Sequence, residues 1–249
     1  FSQPLTGKAG GDALTVWKAA PPVKPQPFER KGRQTVMGVP VNLTRFEEKI
    51  QEYERYPLET GKILLYGSSF FGNWGYERAR RQLAVLGGET DAVVNHGFGG
   101  ATADELLYYY PRMVRPYAPK MLVWRGGPND IFSGLSPEEA FIITQRVFEW
   151  AKKDFPEIKI VILAIFDYRS QREEVQPAFA EYNRLCRRLA QLDSQTEYLD
   201  INDFFYENPA DIGTFQNFRE VFVADGLHLT DAAYEEFAPY FKARLESWL

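Results

Sequence analysis

The chain has 249 residues, 45% of them hydrophobic and 25% charged, and its 29 basic and 34 acidic side chains leave a net charge of −5. That balance fits one large folded domain or two small ones, and it excludes wholesale disorder and a strongly basic nucleic-acid surface. A single cysteine, Cys186, excludes a disulfide framework, a cysteine-rich zinc site and an iron–sulfur cluster. The lone cysteine fits a reducing cytoplasm, no apolar run reaches the ~18 residues of a membrane-spanning helix, and no signal-peptide pattern opens at Phe1.

Residues 1–40 carry Gly10, Gly11, Pro21, Pro22, Pro25 and Pro27 and no sustained apolar period, so an extended N-terminal arm is expected there. Residues 41–249 read as the folded domain. A polar-rich helix is expected over 42–56. Short β-branched runs then follow at 63–66, 92–94, 121–124, 158–166 and 198–201, and each reads as a buried strand. Between the last three of these, helix signals are explicit. Ser136, Pro137 and Glu139 form a capped start, with Ala140, Ile143, Val147 and Ala151 on one face. Phe179, Tyr182, Cys186 and Leu189 mark a second apolar face, which makes Cys186 a core thiol. A last helix after Thr230 aligns Ala233, Phe237, Phe241 and Leu245. Strands alternating with helices predict an α/β fold: a three-layer αβα sandwich on a five-stranded, flavodoxin-like parallel sheet.

Ligands in open α/β sheets bind beyond the carboxyl ends of the strands. Three such ends are followed by small, polar segments: Gly67-Ser68-Ser69, Asn95-His96-Gly97-Phe98-Gly99-Gly100 and Gly126-Gly127-Pro128-Asn129-Asp130. Hydroxyl nucleophiles need a base, an orienter for that base and donors for the developing oxyanion. Ser68 and Ser69 are the nucleophile candidates, and only His228 or His96 can be the base. In Asp225-Gly226-Leu227-His228 the spacing lets Asp225 curl back onto the ring and orient it. The donors would be the nucleophile's own N–H, the Gly100 N–H and the Asn129 amide.

These four segments resemble the blocks of the SGNH (GDSL-type) serine hydrolase family. The resemblance puts the nucleophile at Ser69, the oxyanion donors at Ser69, Gly100 and Asn129, and the base and its orienter at His228 and Asp225. It implies a flavodoxin-like sheet and an esterase or acylhydrolase activity without cofactor or metal, and it spans residues 67–228. Two departures stand out: Ser68 replaces the usual Asp of the first block, and Pro128 occupies the variable position before Asn129. The expected substrate is a small ester with a short acyl or acetyl group. Phe70 and Trp74, close behind the nucleophile, and Arg125, at a strand end, are the candidate substrate contacts.

Rival readings are weaker. Gly67 to Phe71 lacks the second glycine of an α/β-hydrolase elbow, and the glycines at 97–100 have no acidic residue about 20 positions on, as a dinucleotide site needs. An acyltransferase using the same triad, and a non-catalytic carbohydrate-binding protein, remain as alternatives. His96 is expected to hold its turn through a backbone hydrogen bond.

Overall fold

The computed structural model describes residues 44–170 and 174–249, and the arm expected over 1–40 lies outside the described residues. In chain order the elements are α1 (Glu47–Glu54), β1 (Ile63–Gly67), α2 (Ser69–Trp74), α3 (Tyr76–Gln82), a small hairpin of β2 (Val85–Leu86) and β3 (Glu89–Thr90), β4 (Val93–Gly97) and α4 (Ala103–Met113). They continue with β5 (Met121–Arg125), α5 (Pro128–Phe132), α6 (Pro137–Asp154), β6 (Lys159–Leu163), α7 (Gln176–Leu192), β7 (Thr196–Leu199) and α8 (Asp231–Glu246). Five strands form one parallel sheet in the order β4-β1-β5-β6-β7, the flavodoxin-like order.

Alternation along the strands sends neighbouring side chains to opposite layers. Trp124 packs edge-on to Phe148 of α6, and Tyr66 donates its hydroxyl to Leu106 O of α4. The opposite layer is aromatic. Trp74 of α2 meets Tyr234, Phe237 and Phe241 of α8, with ring centroids 5.5–5.8 Å apart. Burying one such side chain contributes roughly 1.5–3 kcal/mol, so this seam fixes α8, and with it the loop before α8, against α2. The expected cap forms, Ser136 Oγ accepting from Glu139 N, and Thr230 Oγ1 also caps the last helix, accepting from Ala233 N at 3.0 Å.

Boundaries differ from expectation at four places, two of them with an identifiable local cause. The expected 42–56 helix is regular only over Glu47–Glu54. β4 runs on through Asn95, His96 and Gly97, because the Asn95 amide donates to Phe71 O (2.9 Å) and Gly75 O (3.1 Å) and so can stay buried in a strand. β6 ends at Leu163 rather than Phe166, since the Ile165 N–H and C=O pair with the Asn183 side chain at 2.8 and 2.7 Å instead of a strand. β7 is likewise shifted, to Thr196–Leu199. No described helix is long and apolar enough to cross a membrane.

Candidate active site

At the carboxyl edge of the sheet one cleft, with about 390 Å³ of free space partly open to solvent, is lined by Ser68, Ser69, Asn129 and His228. Phe70, Phe132, Phe166, Tyr168, Leu227 and Tyr234 supply its apolar walls, and Arg125 also lines it. β1 delivers the serines. Gly67 must be glycine, because a Cβ there would sit 2.3 Å from Arg125 O on the neighbouring strand. Ser68 is buried and its N–H donates to Arg125 O at 3.0 Å, whereas Ser69 opens α2 and is half-buried.

The loop after β4 passes over Ser69: a Cβ on Gly99 would lie 3.7 Å from Ser69 Cβ. Gly100 has φ +81°, which glycine adopts without steric cost. Its carbonyl accepts from Arg45 at 2.8 Å, and Arg45 is itself clamped by Glu105. The Asn129 amide donates to Ala101 O at 2.9 Å, and Asp130 Oδ1 accepts from Ala103 N at 2.8 Å. Two adjacent side chains of one strand-end turn therefore fix the loop carrying Gly100. Neither the Ser69 nor the Gly100 N–H makes a hydrogen bond among the described residues, so both remain able to donate.

Asp225 and His228 are locked together in the loop before α8. Asp225 Oδ1 accepts from the Leu227 and His228 N–H groups at 2.8 and 2.9 Å, and Oδ2 lies 2.7 Å from His228 Nδ1. Burial pushes the Asp225 carboxyl up, but those backbone N–H groups and the ring outweigh it and bring it down to about 2. An ionised carboxylate can only accept, so Nδ1 carries the proton and Nε2 is left as the acceptor. Among the described residues the Ser69 hydroxyl makes no hydrogen bond to the ring, an open arrangement common in clefts without substrate.

Asp130 was not singled out from the sequence as a titrating group. It is fully buried with Oδ2 unpartnered, and burial raises its carboxyl to about 7. The walls Phe166 and Tyr168 were also missed. They follow β6, so the strand-end rule that found the other loops would have found them.

Two expectations need correction. Trp74 does not reach the cleft: it is fully buried, stacked on Tyr234, with its indole N–H donating to Gln82 Oε1. His96 holds no turn. It sits inside β4, fully buried, with Nδ1 2.8 Å from Met113 O and a T-shaped contact to Tyr117 at 4.4 Å. Burial lowers its ring to about 4, against a smaller upward pull from the Met113 carbonyl.

The model of the GDSL-like Lipase/Acylhydrolase family matches residues 65–236, well over half of the chain. The chain belongs to that family. It is thereby a hydrolase of ester bonds. No curated protein matches it. Among solved structures, a GDSL-like lipase from Bacteroides thetaiotaomicron is 16% identical with a TM-score of 0.63, over 84% of this chain and 100% of its own. The acetyl xylan esterase AlAXEase is 18% identical with a TM-score of 0.60, over 74% of this chain and 99% of its own. A mutant of an acetyl-xylooligosaccharide esterase from Geobacillus stearmophilus is 16% identical with a TM-score of 0.58, over 76% of this chain and 96% of its own. At these identities the likeness establishes the fold of this family member and no substrate.

Proposed function

We propose that residues 41–249 form a serine ester hydrolase domain that cleaves short acyl or acetyl esters through an acyl-enzyme on Ser69. His228 Nε2 takes the Ser69 proton as Oγ attacks the ester carbonyl, and Asp225 holds the resulting imidazolium. The carbonyl oxygen, now negative, receives the Ser69 and Gly100 N–H groups and the second N–H of the Asn129 amide. His228 then returns its proton to the departing alcohol, and water repeats the sequence to release the acid. The observation that carries this reading is the Asp225–His228 pair at 2.7 Å, with its ring in the same cleft as Ser69. A ring with Nε2 free of its carboxylate partner, an ionised orienter and unpaired backbone donors are what acyl transfer requires.

Aromatic walls around a small cleft support a short acyl group, and the acetyl-ester activities named for two neighbours are consistent with that. A fluorophosphonate should label Ser69 stoichiometrically and fail to label Ser69→Ala, while Ser68→Ala keeps most of the labelling. An adduct on Ser68 would move the nucleophile by one residue. Rates on p-nitrophenyl esters from acetyl to octanoyl should fall with chain length. Product partition with an added alcohol separates hydrolysis from acyl transfer.

A further inference from the structure

Ester hydrolysis by Ser69 leaves one buried cation in the cleft without a task. Arg125 ends β5 and is 1% exposed. Its Nη2 donates to the Tyr168 hydroxyl at 2.9 Å, but Nε and Nη1 are buried with no hydrogen-bond partner among the described residues. Phe166 and Phe70 flank the guanidinium, with centroids 5.0 and 6.0 Å from Cζ. Ring faces attract a cation, yet they do not accept its in-plane N–H groups. A desolvated charge without a counter-ion is costly, and a carboxylate is the partner whose oxygens satisfy both the charge and the donors.

The position of Arg125 says which part of a substrate would bring that carboxylate. His228 is 31% exposed and marks the open side, where the alcohol leaves and water enters. Arg125 is 1% exposed and lines the same cleft as Ser69, so an acyl group bonded to Ser69 is the part of a substrate placed to reach it. We propose that Arg125 is a specificity-determining residue that binds a carboxylate at the far end of the acyl group, so that the preferred substrates are half-esters of short dicarboxylic acids. The step itself is the one above: the Ser69 Oγ–acyl bond forms and the acyl–alcohol bond breaks. The serine proton passes through His228 to the alcohol, and water then releases the free dicarboxylic acid. The distal carboxylate remains on Arg125 throughout. This inference rests on Ser69 being the nucleophile.

The test compares kcat/KM on p-nitrophenyl half-esters of succinic and glutaric acid with p-nitrophenyl butyrate and pentanoate. Calorimetry of glutarate against its neutral diamide runs alongside. The wild-type enzyme should favour the half-esters about 10- to 100-fold, the range of a hydrogen bond to a charged group. Arg125→Gln should remove most of that ratio and Arg125→Lys should keep part of it. The ratio is the readout because a general loss of rate leaves it alone. Glutarate should bind the wild-type protein, the diamide should not, and Arg125→Gln should lose glutarate. A wild-type ratio near one overturns the proposal, as does a ratio or a glutarate affinity unchanged in Arg125→Gln. Should Arg125→Gln not fold, the wild-type ratio and calorimetry decide alone. If no ester is turned over and no serine is labelled, the serine-esterase reading fails. Arg125-dependent glutarate binding then still upholds the subsite, and its absence removes it.

Discussion

The loop Asp225–His228 and the middle of β4 each carry one of the chain's two histidines, and they hold the ring in opposite ways. His228 is part-exposed, with one nitrogen on an ionised carboxylate and the other left toward a cleft. His96 is sealed among Tyr53, Tyr76 and Tyr117, with one nitrogen on a backbone carbonyl and Nε2 unpartnered. A ring that must accept and return a proton needs access and a nearby negative charge to hold its charged form. A ring that only fills a core needs neither, and burial keeps it neutral. Environment separates the two roles, since the side chain is the same.

The sharpest way to break this comparison is to exchange the losses. His228→Ala should lower kcat on p-nitrophenyl acetate by on the order of 10⁴–10⁶. His96→Phe should leave kcat/KM near wild type and keep the acid-side fall that comes from protonating the base. A well-folded, still-active His228→Ala protein with an unchanged pH profile would refute the proposed triad. Asp225→Asn should cost on the order of 10⁴ in kcat, because a neutral amide no longer fixes the tautomer that leaves Nε2 free.

Asn129 sharpens the contrast between the cleft loops and the packed core. Asn129→Ala removes one proposed oxyanion donor, so kcat should drop on the order of 10²–10³ with KM nearly unchanged. The same amide ties Ala101 O, so the melting temperature is measured with the kinetics. A lowered melting temperature with near-normal kcat would reduce Asn129 to a loop tether.

Much of this was legible in the sequence, for identifiable reasons. Strand positions follow from β-branched runs, helix starts from Ser136-Pro137 and Thr230, and candidate loops from the rule about carboxyl ends. What escaped depends on distant partners. Asn95 and His96 read as loop because they are polar, and only Phe71 O, Gly75 O and Met113 O, which lie far along the chain, let them stay in a strand. Trp74 follows Ser69 closely in sequence, yet a helical turn carries it into the α8 seam. The unpartnered donors of Arg125 and the raised carboxyl of Asp130 are products of burial, which no local pattern encodes.

Two buried groups with opposite shifts give the most specific effect. An unfolded histidine titrates near ~6.5 and an unfolded aspartate near ~3.9. In the folded chain burial lowers His96 to about 4 and raises Asp130 to about 7. Below pH ~6.5 the unfolded chain binds a proton at His96 that the folded chain refuses, so this group makes stability fall as pH drops toward 4. Above pH ~3.9 the folded chain keeps a proton on Asp130 that the unfolded chain has released, so this group makes stability fall as pH rises toward 7. Each is worth on the order of 3–4 kcal/mol across its window, and between pH ~4 and ~6.5 they oppose one another. Single variants should separate them. Relative to wild type, His96→Phe should gain stability as pH falls from ~6.5 to ~4, having lost the group that acid penalises. Asp130→Asn keeps an oxygen for the Ala103 N–H, and its stability relative to wild type should rise with pH from ~4 to ~7. Thermal melts of the three proteins across that range give the two differences, and slopes of opposite sign are expected. Two flat differences would mean that neither group is held away from its ordinary titration. The contrast between the sealed ring and the open one would then rest on hydrogen bonding and access alone.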